Sequence, residues 1–537
     1  MTLEIKGDAG FEQRGLVKPY GNPNFVVLAV GSAVAMEFFT TAAVNVVIPN
    51  MQSSFSATLD EISWVITVYL TCFTIVLPMV GWLLDHIGPR RYMAASNLVY
   101  VLASIGCGTS ISLEQILVWR GIQGAAGACF LVGALNAIAR VFPSKQRIGG
   151  FIFFAIVAAL SRSVAPWVGG YVAYNWTWRW VFFLNIPFGL TSALSILLLL
   201  PPMPGISSRY RVDFVSFLLL AIGLGSLQTL LSRGQQDNWF ASPLIRILTV
   251  MAVACLIAFI WWELSPGNQN PVISLPRLKN IKNYALGLTY TFALGIVLFS
   301  GLFILPLYLR NIQNRTSAQI GALLTISGLG FAAAIISSIA LTNRIPRVLL
   351  PLAGMSAFTI SMLMFAWRFT LETSDSALYL PLVLYGLGLG LQIPAVGTFT
   401  TSDLPQERLT EGTGLYLLVR QLGGSIGLAL VTLLIDLRMT LYSSRLGESV
   451  NPYNPLLRQA ISGIKGVFIA RGIDPNTATE MAYKVAYIRL VQQSTIIAFI
   501  DVFYFLACVG IASILLLLIL NRLKWKAPFQ LQLHLFN

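Results

Sequence analysis

Charged residues are scarce in this sequence: Asp, Glu, Lys and Arg make up only 10% of its 537 residues, whereas 56% are hydrophobic. Globular proteins carry about 25% charged residues, which cover the surface that faces water. A soluble protein is therefore excluded. The hydrophobic residues recur in runs along the whole chain, and such runs predict a protein that crosses a membrane many times.

Residues that build metal, disulfide and nucleotide sites are also few or unsuitably spaced. The two histidines are His86 and His534, and the five cysteines lie in hydrophobic runs without a CxxC pair. This pattern argues against both a metal site and a disulfide framework. The sequence has no GxxxxGK[ST] phosphate loop, so a built-in ATPase is not expected. We predict no cofactor and, since no catalytic constellation is recognisable, no enzymatic activity.

The formal charge of +14 at pH 7 does not indicate nucleic-acid binding. Proteins that bind nucleic acids gather Lys and Arg on one face, whereas here these residues form small clusters between hydrophobic runs. If the N-terminus is cytoplasmic, nineteen Lys and Arg residues fall in cytoplasmic segments and six in short external loops. Because cytoplasmic loops are enriched in Lys and Arg, both termini are expected in the cytoplasm.

Fourteen hydrophobic runs reach the length of about 20 residues that a transmembrane helix needs. Their continuous hydrophobic character favours helices over the alternating strands of a barrel. The predicted spans are 25–48, 62–82, 92–110, 112–139, 149–173, 180–200, 213–232, 243–263, 284–308, 317–341, 347–367, 379–402, 412–436 and 498–520.

The long segment 437–497 lies between the last two predicted spans, and we expect it to be external. Its sequence predicts amphipathic helices near 455–470 and 476–494, separated by the helix-breaking run Gly472-Ile473-Asp474-Pro475. Two roles stay open for this segment: a cap over the outer mouth, or a docking surface for a periplasmic partner.

Several short motifs are spread along the chain. After the second span the sequence reads Gly81-Trp82-Leu83-Leu84-Asp85-His86-Ile87-Gly88-Pro89-Arg90-Arg91, in which the glycines permit close helix contact. Asp85 can cap a helix there and pair with Arg90 or Arg91. The other motifs are Asn45-Val46-Val47-Ile48-Pro49, Arg120-Gly121-Ile122-Gln123-Gly124, Ala165-Pro166-Trp167-Val168-Gly169-Gly170, Trp178-Arg179-Trp180 with Asn185-Ile186-Pro187-Phe188-Gly189, and Arg420-Gln421-Leu422-Gly423-Gly424-Ser425-Ile426-Gly427.

As a set, these motifs resemble those of the major facilitator superfamily, in particular its fourteen-span drug:proton antiporters of the EmrB/QacA type. The resemblance covers residues 25–520. It implies an all-α membrane fold of two six-helix bundles and two extra spans, in which the bundles rock around a substrate near the bilayer midplane. The implied division is a cytoplasmic tail 1–24, a first bundle 25–200, a linker 201–263 with the two extra spans, a second bundle 284–520 that includes the external loop 437–497, and a cytoplasmic tail 521–537.

The resemblance also assigns roles to some of these residues. The gating loop of the family corresponds to Gly81, Asp85, Gly88, Arg90 and Arg91. The antiporter motif corresponds to Pro166, Gly169 and Gly170, although Ala165 replaces a glycine of that motif.

Only Glu37, Arg120, Arg162 and Arg420 place an ionisable side chain well inside a predicted span. A charge at the bilayer centre costs about 2.5–3.5 kcal/mol on insertion scales, so each of these residues needs a reason. The family usually carries an Asp where this sequence has Thr40. Glu37 lies one helical turn earlier on the same face. Arg162 stands at a similar depth to Glu37, and we predict an ion pair between them.

Alternative interpretations of these charges stay open. Glu37 is either the proton carrier or half of a permanently charged structural pair in a protein that has lost proton coupling. Arg120 resembles the arginine that the family uses to relay or modulate protonation, but it could also serve as a hydrogen-bond donor between helices. Arg420 and Gln421 either line the cavity or stabilise the packing along their glycine-rich helix.

By analogy with the family, a set of aromatic and polar residues faces the central cavity and could contact the cargo. They are Thr40, Tyr69, Phe73, Gln123 and Trp167 in the first bundle and Tyr290, Gln392, Tyr416, Arg420 and Gln421 in the second.

The expected function is secondary active transport, with proton-coupled export of amphipathic or lipophilic compounds by alternating access. The alternatives are a carrier for one metabolite, such as a glycoside, sugar conjugate or lipid precursor, and a receptor or scaffold that transports nothing. Expected partners are the lipid bilayer, a small-molecule substrate, protons and a periplasmic adaptor protein, with no nucleic acid. The expected location is a bacterial inner membrane.

Overall fold

The computed structural model describes residues 22–142, 144–202, 213–265, 282–313, 315–341, 345–346, 348–370, 373–401, 409–448 and 454–524. All regular secondary structure in these ranges is helical, as the sequence predicts. The α-helices are α1 (Pro23–Phe55), α2 (Leu59–Val76), α3 (Val80–Ile87), α4 (Pro89–Thr109), α5 (Leu113–Val141), α6 (Ser144–Asn175), α7 (Trp180–Phe183), α8 (Asn185–Leu199), α9 (Phe214–Arg233), α10 (Pro243–Leu264), α11 (Lys282–Asn311), α12 (Ser317–Leu341), α13 (Leu349–Arg368), α14 (Asp375–Thr401), α15 (Leu409–Glu448), α16 (Pro455–Ala470) and α17 (Pro475–Lys524). Most of the two predicted tails, residues 1–21 and 525–537, lies outside the described residues.

Within the described residues, twelve helical segments are long and hydrophobic enough to cross a membrane. The other two predicted spans, 92–110 and 149–173, are also helical and form most of α4 and α6. Helix α4 is less hydrophobic because it carries buried Ser96, Asn97 and Ser104. In α6 the apolar stretch among the described residues is shorter, Gly149–Ala158.

A first bundle consists of α1, α2, α4, α5, α6 and α8. Helix α1 packs against α5, α6 and α8, while α5 also contacts α2 and α4. Glycine permits the closest of these approaches: a Cβ atom at Gly124 of α5 would lie only 2.2 Å from the backbone oxygen of Tyr69 in α2. Any larger residue at position 124 would therefore force α2 and α5 apart.

A second bundle consists of α11, α12, α13, α14, α15 and α17. Helix α14 packs against α12 and α13, and α15 packs against α11 and α17. Glycines again set the spacing, because a Cβ atom at Gly423 of α15 would lie 2.2 Å from the backbone oxygen of Phe292 in α11. Small residues let membrane helices approach closely enough for extensive van der Waals contact.

The two bundles touch directly through α6 and α12 and, at another place, through α15 and the short 3₁₀ turn Leu77–Met79 that follows α2. Helix α9 adds an indirect connection. It packs against α2, where Thr229 and Thr71 form a hydrogen bond, and it accepts a hydrogen bond at Gln228 from Ser425 of α15. Helix α10 packs mainly on α9 and exposes most of its remaining surface.

Helices α15, α16 and α17 project beyond the rest of the molecule. Helix α17 has 50 residues and is therefore about 75 Å long, whereas the hydrocarbon core of a bilayer is about 30 Å thick. The expected helix at 455–470 coincides with α16. The expected helix at 476–494 runs without a break into the last span, because the sequence has no glycine or proline between Pro475 and Gly510.

Candidate functional site

The predicted carboxylate of the first bundle lies in a polar cluster of α1, α2 and α5. Glu37 is only 9% exposed. Its Oε1 accepts hydrogen bonds from the Tyr69 hydroxyl at 3.1 Å and from Thr41 at 3.3 Å. The guanidinium carbon of Arg120 lies 4.2 Å from the centre of the Tyr69 ring, within the range of a cation–π interaction. Tyr69 thus contacts both charged groups.

Arg120 itself is 1% exposed and fully engaged. Its Nε donates to the backbone oxygen of Val65 at 3.1 Å, and its Nη1 donates to Gln123 Oε1 at 2.7 Å. A buried cation without such partners would be costly in a membrane. The site therefore satisfies Arg120 through neutral groups.

From Gln123 the polar contacts continue across three more helices. Gln123 and Asn185 both donate to the hydroxyl of Ser104 in α4, at 2.7 and 3.2 Å. Asn185, the first residue of α8, accepts at its Oδ1 from the hydroxyl of Thr40, at 2.9 Å. The chain of contacts that starts at Arg120 thus returns to α1, one helical turn from Glu37. Phe73 lies beside this cluster, with its ring 6.2 Å from that of Tyr69.

This cluster can hold and release a proton at one group. Glu37 is the one acid among the described residues of this cluster, and the described groups around it are hydroxyl, amide and guanidinium groups. Thr40 stands where the resembled family has an acid, but it carries only a hydroxyl, which lies 2.8 Å from the backbone oxygen of Met36 and 2.9 Å from Asn185 Oδ1 and shares its one proton between them. The chemistry available here is therefore reversible protonation of a buried carboxylate.

The predicted partner Arg162 belongs to α6, which packs along α1. Its side chain, like that of Pro166, lies outside the described residues. The Glu37–Arg162 ion pair consequently stays a prediction.

The second cluster of predicted residues lies in α11, α14 and α15. The Tyr290 hydroxyl donates to Gln392 Oε1 at 2.8 Å, and Gln392 Nε2 donates to the backbone oxygen of Gly388 at 2.9 Å. Tyr416 and Arg420 follow one helical turn apart on α15, with the Arg420 guanidinium carbon 5.7 Å from the centre of the Tyr416 ring. Gln421 is buried, and its backbone oxygen accepts from Ser425. Among the described residues, none of the ion pairs includes Arg420.

The loop between α3 and α4 corrects one expectation. Asp85 forms an ion pair with Arg140 of α5 at 3.3 Å, not with Arg90 or Arg91. Arg90 instead donates to the backbone oxygen of Leu197 in α8, and Arg91 is exposed. The difference follows from the direction of α4. This helix starts at Pro89 and carries Arg90 and Arg91 away from Asp85, whereas the end of α5 lies close to Asp85.

Glycine is required at one point of this loop. Gly88 has a φ of 90°, which allows α3 to end and α4 to begin at the same residue. Gly81 is buried where α3 begins.

The motif at residues 165–170 of α6 contacts two other helices, α1 and α12. A Cβ atom at Gly169 would lie 2.8 Å from the Cβ atom of Ala43, so this glycine sets the distance between α6 and α1. Two residues earlier, the backbone of Trp167 contacts Gly321 of α12. Trp167 itself is 50% exposed and Gly170 is partly buried. The motif therefore joins the first bundle to the second.

The comparisons with known proteins agree with this architecture. The family model described as Major Facilitator Superfamily matches residues 30–428. This chain belongs to the Major Facilitator Superfamily. It is 30% identical over 459 residues to the multidrug export protein EmrB of Escherichia coli strain K12, covering 84% of this chain and 88% of EmrB. It is 29% identical over 468 residues to the fatty acid resistance protein FarB of Neisseria gonorrhoeae, covering 86% of this chain and 90% of FarB.

Solved structures of the superfamily share the fold. A POT family transporter, crystallised with a thioalcohol-conjugated peptide, matches 94% of this chain and 97% of its own length with a TM-score of 0.62 and 14% identity. At that identity the likeness concerns the fold alone. The family match, the export-protein relatives and the hydrophobic helices together make this superfamily member a multi-pass membrane transporter.

The sequence motifs do not identify three residues that complete these contacts. They are Asn185 as the partner of Thr40, Ser104 as the partner of Gln123, and Arg140 as the partner of Asp85. Ser104 and Asn185 are fully buried polar residues, and polarity inside a predicted span was the available signal. For Arg140 the sequence offers no such signal, because it lies 55 positions from Asp85.

Proposed function

We propose that this protein is a proton-coupled exporter of amphipathic or lipophilic compounds that works by alternating access. The observation that carries the proposal is the buried Glu37 carboxylate, linked to Arg120 through Tyr69. Relatives whose names denote multidrug export and fatty acid resistance support export of varied lipophilic cargo. They do not favour the alternative of a carrier for one metabolite.

In the proposed cycle, Glu37 takes up a proton from the external side and releases it to the cytoplasm as cargo moves outward. Arg120 lies close enough to stabilise the carboxylate after release, and Tyr69 relays the change between them. The contacts through Gln123, Ser104 and Asn185 hold Arg120 in place during this exchange. Through these contacts a change of charge at Glu37 affects α2, α4, α5 and α8 together, and this favours movement of the bundle as one body.

We propose fourteen spans, with α4 and α6 completing the twelve hydrophobic segments, and cytoplasmic termini in a bacterial inner membrane. The supporting observations are the lengths of α4 and α6 and the excess of Lys and Arg on one side of the predicted spans. In this orientation the Asp85–Arg140 ion pair lies at the cytoplasmic end and latches α3 to α5.

A periplasmic adaptor is the proposed partner of the projecting helices. Counted from its cytoplasmic end, α17 leaves the hydrocarbon core near residue 500. Tyr483, Tyr487 and Ile488 are exposed beyond that point and share one face of the helix. An exposed patch of this kind outside the bilayer favours a protein partner.

The test of proton coupling uses inside-out vesicles with an acidic interior and a fluorescent pH indicator. Addition of several unrelated lipophilic compounds is expected to discharge the gradient in wild type and to leave it intact in Glu37→Gln. The matched control is Glu61→Gln, which removes the exposed carboxylate at the start of α2. Discharge by Glu37→Gln at the wild-type rate would refute the proposed role of Glu37.

The test of the adaptor compares drug resistance of intact cells with proton exchange in isolated vesicles. Tyr487→Asp places a charge in the exposed patch and is expected to lower drug resistance of intact cells without changing proton exchange in vesicles. The control substitution is Tyr174→Asp, on an exposed residue of α6 beyond the span 149–173 and away from the projecting helices. Unchanged resistance with Tyr487→Asp would contradict the proposed docking surface.

A further inference from the structure

The arginine of the second bundle differs from that of the first in having no acidic partner. Arg420 is partly exposed and lies eleven residues after the first residue of α15, about 17 Å along the helix and so well inside the membrane. No ion pair among the described residues includes it. A cation held inside a membrane without a counter-charge is costly, so an anion that approaches Arg420 would be stabilised there.

Tyr416 supplies a second sign of a missing acceptor. It is 5% exposed, and its hydrogen-bonding neighbour is Arg420, which can only donate, so its hydroxyl proton has no acceptor among the described residues. The hydroxyl lies against Gly397 of α14, where a Cβ atom would be 3.8 Å away. A buried hydroxyl without an acceptor is unfavourable, so this donor is also suited to bind one.

The neighbouring Gln392 does not supply the missing negative charge, and its amide group is already hydrogen-bonded. Gln392 uses its Oε1 to accept from Tyr290 and its Nε2 to donate to Gly388. The cluster therefore presents two donors without an anionic acceptor, the guanidinium of Arg420 and the hydroxyl of Tyr416, on neighbouring turns of one helix face. Among the described side chains of this cluster the acceptors are neutral, namely the amide oxygens of Gln392 and Gln421.

We propose that Arg420 and Tyr416 form a binding site for the anionic group of the cargo, and that the preferred class is a lipophilic carboxylate. A guanidinium matches the planar carboxylate with two parallel hydrogen bonds. The Tyr416 hydroxyl donates a further hydrogen bond, and the apolar body of the ligand lies along the hydrophobic side chains of the surrounding helices. This inference rests on the proposed transport function for its purpose, but the binding step can be measured separately.

The experiment compares ligands that share one apolar chain and differ in charge: dodecanoate, dodecanol and dodecyltrimethylammonium. Binding of each labelled compound is measured at pH 7.5 to the full-length protein in lipid nanodiscs, below micelle-forming concentrations, with empty nanodiscs as background. Wild type is expected to bind dodecanoate saturably and more tightly than dodecanol. Absence of saturable dodecanoate binding to wild type would overturn the proposal.

Variants then locate the site. Arg420→Gln is expected to raise the Kd for dodecanoate at least tenfold relative to the Kd for dodecyltrimethylammonium, because charged hydrogen bonds are the strong ones. Arg420→Lys keeps the charge but loses the planar fork, and should fall between wild type and Arg420→Gln. Tyr416→Phe should raise the Kd by about threefold to tenfold, as expected for one hydrogen bond.

The control is Arg438→Gln, the same substitution on the same helix at a residue paired with Asp501. It should leave dodecanoate binding unchanged. If Arg420→Gln weakens binding of dodecyltrimethylammonium as much as binding of dodecanoate, Arg420 has a structural role and the proposal fails. If Arg420→Gln does not fold, Arg420→Lys and Tyr416→Phe decide, and wild-type affinity in both would also overturn it.

Failure of this inference is distinguishable from failure of proton-coupled export. Dodecanoate binding through Arg420 without any proton exchange would leave the site standing and remove the coupling. Proton exchange driven only by dodecyltrimethylammonium, without saturable dodecanoate binding, would remove the site and leave the coupling standing.

Discussion

The two bundles use similar helix packing but very different polar chemistry. In both, glycines bring a pair of helices into backbone contact, at Gly124 in the first bundle and Gly423 in the second. In the first bundle Arg120 is buried and is held by hydrogen bonds to Val65 and Gln123 and by the Tyr69 ring. In the second, Arg420 is partly exposed and has no acidic partner among the described residues.

This difference suggests a division of work. A network in which one carboxylate and one arginine are held by several hydrogen bonds is suited to exchange protons while it keeps its shape. A site with donors in excess is suited to bind an anion from outside. On this account the first bundle handles the proton and the second recognises the charge of the cargo.

The largest expected effect is a loss of stability at the glycine contacts that both bundles share. Gly124→Val and Gly423→Val should each destabilise the protein by about 3 kcal/mol or more, because the new side chain would overlap backbone atoms of the facing helix. Thermal unfolding in detergent measures both. Gly447→Val is the control, since nothing lies within 4 Å of that position. A tolerated substitution at 124 or 423 would contradict the described helix spacing.

A somewhat smaller effect on stability is expected at the two arginines, and it should differ between the bundles. Arg120→Gln should lower stability by about 1–3 kcal/mol, because it leaves Val65 and Gln123 without their buried donor. Arg420→Gln should change stability by less than about 1 kcal/mol, because it removes a charge that has no ion-pair partner among the described residues. The same thermal unfolding assay compares them, and equal losses would break the comparison between the bundles.

The smallest expected effect is at the latch between α3 and α5. Asp85→Asn removes an ion pair whose two side chains are about one quarter exposed, and such pairs contribute roughly 1 kcal/mol or less. Access of a thiol reagent to a cysteine introduced at the cytoplasmic end should rise by about twofold to fivefold. Arg91→Gln, at an exposed and unpaired position, should leave access unchanged. A change of equal size in both variants would show that Arg140 is not the partner that matters.

Much of the fold could be predicted because each helix is encoded by a local hydrophobic run. The expected helices at 317–341 and 455–470 coincide with α12 and α16. The expected span at 498–520 lies within α17, which joins it without a break to the expected helix at 476–494 and begins at Pro475. Hydropathy finds the membrane part of a helix and not its end.

The site was predictable in its charged residues and much less so in its contacts. Glu37, Arg120 and Arg420 are conspicuous because charge is rare inside a span. The partner of Asp85 and the route from Gln123 through Ser104 and Asn185 to Thr40 depend on which helices lie side by side. No local pattern in one sequence carries that information, although the four-residue spacing of Tyr416 and Arg420 does place them on one face.

The most direct test of the proposed division measures two properties of Glu37→Gln in proteoliposomes with one labelled cargo. Counterflow, the exchange of labelled for unlabelled cargo, requires binding and rocking but no proton. We predict that counterflow persists in Glu37→Gln while accumulation driven by a pH gradient is lost. Accumulation at the wild-type level in this variant would contradict the assignment of the proton to the first bundle.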